Sequence, residues 1–194
     1  MINLRDVLTE STARWFLVLH TALGVAAVAA STHLVVWMWR YGRGEFTRHR
    51  AVRKFAWIAF ALHGVAFVVG NLMYPTYKVE VRVAYLENAT AVANAATTHA
   101  NNLAKATHES QAAPVTADVV KRAAAAARWF DVKEHWIALG LVVSAALVLI
   151  LMLWDPKRDG PALGSITLGL ALLVCGTLWL GAIIGVLTAS WKAV

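Results

Sequence analysis

The stretch WFLVLHTALGVAAVAASTHLVVWMW, residues 15–39, decides the fold. Its 25 residues include no Asp, Glu, Lys or Arg, and Arg14 and Arg40 close it at either end. A hydrocarbon core of ~30 Å takes about 17–25 such residues as an α-helix. Lipid offers no partner to an unsatisfied backbone amide, so a helix is required there. The tryptophans at both ends suit the interfacial aromatic belt. A secretory signal would open on basic residues and carry a shorter apolar core. Here Asp6 and Glu10 precede the run, so a retained helix is expected.

Three similar runs follow. Residues 55–77 lie between Lys54 and Lys78, with Pro75 expected to end the helix. Residues 135–154 precede the turn Asp155-Pro156-Lys157-Arg158-Asp159-Gly160, and residues 163–189 fall within an uncharged stretch. The 194 residues are 59% hydrophobic, against roughly half in soluble domains, and the mean hydropathy is +0.59. These readings make the chain an all-α, integral membrane four-helix bundle.

The net charge of +7 would suit nucleic acid, but six of the eighteen basic residues crowd into residues 40–54. A short basic loop between apolar spans is a topology signal, so nucleic acid is excluded as a partner. Residues 155–159 add Lys157 and Arg158. Both short loops are therefore expected in the cytoplasm, with both termini outside (N-out, C-out). Residues 78–134, with seven basic and six acidic side chains, would form a long, partly helical extracytoplasmic loop. Within it residues 88–127 form an Ala-rich insertion, and alanine is the strongest helix former. Thr116-Ala117-Asp118 is a plausible helix start, from which a helix runs unbroken into the third span. His99 and His108 read as solvated. The single Cys175 excludes an intramolecular disulfide and CxxC redox chemistry.

His20, His63 and His135 lie within or at the edge of apolar spans, where an ionisable group is costly and usually faces a cavity, a cofactor or a partner. Equally, a neutral histidine can simply bond a neighbouring helix. His20 lies about 7 Å past Trp15 and His63 about 16 Å before Tyr74 along the helix axis. His33 is about 20 Å from His20 along the axis, too far to share its site. His63, Phe67, Gly70 and Tyr74 share one helical face, as do His20, Gly24, Ala27 and Ser31. Small residues beside a histidine suit either a flat macrocycle or close helix packing. Gly181-x-x-x-Gly185 in the fourth run favours close packing.

Polar clusters flank two of the spans: Tyr74-Pro75-Thr76-Tyr77 through Arg82, and Trp129-Phe130-Asp131-Val132-Lys133-Glu134-His135. Asp131 could accept a proton from one ring nitrogen of His135 and orient the other. The alternative is an interfacial anchor. Together with Val81, Tyr85 and Leu86, these residues make the chain resemble a group of uncharacterised bacterial four-helix membrane proteins. In plan it also resembles small membrane b-type cytochromes, whose haem is held by histidines of facing helices. It departs from their di-haem plan because only the first helix carries two intramembrane histidines.

That resemblance implies an electron-transfer subunit with one haem b on two of His20, His63 and His135. Tyr74, Arg82, Asp131 and Lys133 would then hold propionates or a quinone. Its setting would be a respiratory complex of the bacterial inner membrane. The competing expectation is a cofactor-free accessory subunit of a larger membrane complex. A third is a small enzyme or transporter using His135, Asp131 and Glu134. No Walker, Rossmann, HExxH or GxSxG pattern supports it, and no paired halves are visible.

Overall fold

The computed structural model describes residues 10–108 and 117–193. Thr116, in the expected helix start, and residues 109–115 lie outside the described residues. Every described element is helical. They are α1 (Glu10–Met38), a 3-10 turn (Tyr41–Arg43), α2 (His49–Thr76), a π-helical segment (Tyr77–Leu86), α3 (Ala89–Thr107), α4 (Ala117–Leu153), the single turn α5 (Pro156–Asp159) and α6 (Gly164–Ala193). Four stretches are long and apolar enough to cross a membrane: Thr12–Arg43, His49–Leu86, Ala117–Leu153 and Gly164–Ser190. The chain is thus a multi-pass membrane protein by length and composition.

α2 ends one residue after Pro75, but the helical path does not stop there. The chain continues through ten π-helical residues. Proline removes one amide donor and its ring crowds the carbonyl four residues back. The helix changes register just after it, in the wider π form. The Ala-rich region is helical on both sides of its undescribed part. Asn88 caps α3 by accepting the Ala91 amide at 3.1 Å. Beyond the gap, α4 runs without a break from Ala117 into the third span.

The contacts divide the chain into two compact units. One comprises Met1–Met73 and Lys133–Ile183, the other Tyr74–Val132 and Ile184–Val194. In the first, Leu34, Met38, Val52, Ala56, Leu147, Leu151 and Ala171 form a core shared by four helices. A second cluster joins Ala27, Val174 and Leu178. Buried hydroxyls bond the carbonyls of their own helices, Ser31 to Val28 and Thr167 to Leu163. Large aliphatic side chains point outward instead, such as Val36, Val142 and Leu173. That distribution suits lipid, which solvates apolar surface as readily as the interior of the bundle does. In the second unit Leu86, Val92, Ala123 and Ala127 form the core, where the alanines admit close helix approach.

Candidate functional site

His20 projects from α1 onto α2. Its Nδ1–H donates to the Ala66 carbonyl at 2.9 Å, and its ring fills the space over Gly70. A Cβ at Gly70 would stand 3.0 Å from His20 Cε1. His63 projects from α2 onto α4. It is 1% exposed, and its Nε2–H donates to the Ile137 carbonyl at 3.2 Å. Its ring lies beside Gly140, and Thr177 of α6 closes the same spot. A carbonyl already bonded within its helix keeps a second lone pair, so each histidine adds a bond between helices without breaking one.

These bonds assign the tautomers, because a carbonyl can only accept. His20 keeps its lone pair on Nε2. His63 keeps it on Nδ1, which is buried with no hydrogen-bond partner among the described residues. Phe67 and Tyr74 aside, the face expected to unite His63 with Gly70 serves two interfaces: Gly70 seats His20, while His63 turns to Ile137 and Gly140. Ala66, Ile137, Gly140 and Thr177 were not singled out from the sequence, since only the register between helices brings them to the rings.

His33 packs tilted against Trp37 and Phe55, with ring centroids 5.0 and 4.6 Å away. His135 is on the exposed side of α4, and His99 and His108 are exposed on and just after α3. In the second unit Arg82 and Asp131 do come together. Arg82 Nη1 donates to Asp131 at 2.6 Å and its Nε to Glu87 at 2.8 Å. Tyr77 stacks on Phe130 with centroids 3.8 Å apart, and Tyr74 lies 6.4 Å from Tyr77. These contacts fasten the π-helical segment to the first half of α4.

Among the described residues no group of three or more His, Cys, Asp and Glu is placed to hold a metal ion. A haem needs at most two axial ligands, so the rings themselves must be weighed. His20 offers a free Nε2 and already makes the carbonyl bond that orients metal-binding histidines. His63 offers only the hindered Nδ1 beside its own stem, because Nε2 is engaged. The pair as placed does not present two facing Nε2 atoms, and His20 alone fits the group. What both histidines do perform in this geometry is interhelical hydrogen bonding. Comparison with known protein families, curated proteins and solved structures finds no match for this chain.

Proposed function

We propose that the chain is a cofactor-free accessory subunit of a larger membrane assembly, joined to its partners within the bilayer through one face of α6. Its intramembrane histidines act as interhelical bonds. The observation that supports this reading is the open glycine face. Ser165, Gly169, Leu172 and Gly176 follow i, i+4, i+7, i+11 spacing and share one side of α6. Nothing lies within 4 Å of where a Cβ would stand at Gly169 or Gly176. Gly70, Gly140 and Gly181, by contrast, each seat a side chain of a neighbouring helix. Helices in lipid associate where small residues let backbones approach, and a glycine in a helix costs about 1 kcal/mol relative to alanine. Glycines left open by their own chain suit an approach from another. By the Lys/Arg bias, the short basic loops face the cytoplasm of a bacterial inner membrane and both termini lie outside.

A photo-crosslinking residue at Leu172 tests the subunit reading in native membranes. Position 142, exposed on α4, serves as a lipid-facing control. A discrete adduct of higher mass from position 172, absent from 142 and lost in Gly169→Leu/Gly176→Leu, is expected. A single-chain particle with no adduct sinks the proposal.

A second reading, one haem b with His20 as an axial ligand, has its own support. The Nδ1–carbonyl bond leaves Nε2 available, and nothing lies within 4 Å of a Cβ at Gly24, one turn along the same face. The bound haem would supply one-electron transfer. With His63 engaged by the Ile137 carbonyl, a haem with His20 as its protein ligand is the form of this reading that the ring positions support. A reduced-minus-oxidised spectrum with a pyridine haemochrome assay separates the two. About one haem per chain, lost in His20→Ala, supports the cytochrome; none, in protein made with ample haem, supports the accessory subunit.

A further inference from the structure

The two short basic loops meet at one end of the first unit, around an aromatic plug. Tyr41 is 3% exposed, its hydroxyl is 2.9 Å from His49 Nδ1, and its ring lies 4.9 Å from Phe46 and 6.3 Å from Trp154. Phe46 meets Trp154 edge-on at 5.5 Å, and the Trp154 indole N–H donates to the Gly160 carbonyl at 3.0 Å. The plug therefore holds the loop of residues 40–54 against the turn of residues 155–160.

Around it stand Arg40, Arg43, Arg48, Arg50, Lys54, Lys157 and Arg158, all exposed. The two loops together carry eight basic residues and three acidic ones (Glu45, Asp155, Asp159), a net charge of 8 − 3 = +5. All three acids are engaged: Glu45 lies 4.0 Å from Arg40, Asp159 is held by Arg158 at 2.7 Å, and Asp155 accepts the Lys157 amide at 2.9 Å. Among the described residues no carboxylate lies within ion-pair reach of Arg43, Arg48, Arg50 or Lys54. Arg53 lies against the Met152 thioether at 3.2 Å, and the Arg48 guanidinium sits 5.3 Å from the Trp37 ring centroid. Trp39, just past the end of α1, and Trp57, two turns into α2, are 57% and 47% exposed, and indole rings settle at the membrane interface.

We propose that this end of the protein binds the phosphate headgroups of anionic phospholipids, with Arg43, Arg48, Arg50 and Lys54 as the cations and Trp39 and Trp57 setting their depth. A cluster of four to eight Lys and Arg beside a transmembrane helix attracts anionic lipid, and the planar guanidinium matches a phosphate with two parallel donors. The recognised chemistry is a phosphate anion, which a lipid or free inorganic phosphate can supply. The lipid is favoured because the flanking tryptophans and spans fix the cations at the bilayer surface.

The test uses the full chain purified in neutral detergent and measures bound lipid by native mass spectrometry. The arms are phosphatidylglycerol, phosphatidylcholine with the same acyl chains, and phosphatidylglycerol with an excess of inorganic phosphate. Phosphatidylglycerol is expected to bind in preference and to be lost as salt rises. Its affinity is expected to fall roughly tenfold or more in R43Q/R48Q/R50Q/K54Q. Equal retention of the two lipids, or full retention by the quadruple variant, overturns the proposal. Displacement by the excess of inorganic phosphate, beyond that produced by a neutral salt of the same ionic strength, makes free phosphate the ligand and overturns the lipid assignment. Salt dependence measured on the wild-type chain decides the matter even if the variant fails to fold, since salt-independent binding refutes an electrostatic site.

Discussion

Gly140→Ala probes the crossing of α2, α4 and α6 where His63 is seated. A Cβ there would stand 3.0 Å from Thr177 Cβ, closer still to its Cγ2, and 3.3 Å from His63 Cε1. Thr177 is β-branched and stiff at χ1, so its methyl cannot swing away cheaply. Relief has to come from moving a helix or displacing the His63 ring from Ile137. Overpacking of this kind costs about 1–3 kcal/mol. Replacing a helical glycine by alanine returns about 1 kcal/mol of propensity. Gly64→Ala supplies the comparison, because its Cβ would meet only the flexible Leu141 Cδ1 at 3.9 Å.

The propensity gain is common to both variants and cancels in their difference. Gly140→Ala should therefore be about 1–3 kcal/mol less stable than Gly64→Ala, while Gly64→Ala itself is neutral or up to about 1 kcal/mol more stable than the parent. Unfolding in mixed micelles of rising SDS fraction, followed by tryptophan fluorescence, measures both. Thr177→Ser removes the offending methyl and keeps the hydroxyl. In the double variant it should restore about 1 kcal/mol or more as a coupling energy. Equal stability of the two alanine variants, or additivity of Gly140→Ala with Thr177→Ser, would refute the packing argument.

Four further outcomes are expected. His20→Ala should cost about 1–3 kcal/mol in the same assay, from an interhelical bond of about 0.6 kcal/mol and an emptied seat over Gly70; unchanged stability would remove His20 as a staple. Asp131→Asn weakens the pair with Arg82, whose side chains are 38% and 22% exposed. The loss should be about 1 kcal/mol or less and shrink as salt rises, and a salt-independent loss would contradict it. Asn88→Ala removes the cap on Ala91, so amide exchange in the first turn of α3 should quicken by the equivalent of about 1 kcal/mol, and unchanged protection of Ala91 would contradict the cap. Arg158 holds the Asp159 carboxyl down to about 2 from the usual 3.8. Its stabilising effect is complete above pH 3.8 and is lost as pH falls through about 2, so in Arg158→Gln an NMR titration of Asp159 should move back towards 3.8.

The spans were legible because lipid imposes one rule on every residue within it. Any run of about 20 residues without charge has to satisfy its own backbone, and only a helix does so. Around Pro75 the same rule permits more than one helical register, so the chain leaves the α form at Thr76 and continues as a π-helix. The partners of the histidines were illegible for a different reason. Periodicity places His63 and Gly70 on one face of α2, yet it carries no information on which neighbour meets each turn. The answer depends on the register of α1 and α4 against α2, which is set by pairings such as His20 over Gly70 and His63 beside Gly140. From sequence, a glycine one or two turns from a histidine signals equally a space for a macrocycle and a seat for a ring. The structure distinguishes glycines already filled by side chains of this chain, Gly70, Gly140 and Gly181, from those left open, Gly24, Gly169 and Gly176. The open ones are where an occupant from outside the chain, a second helix or a haem, would have to be sought.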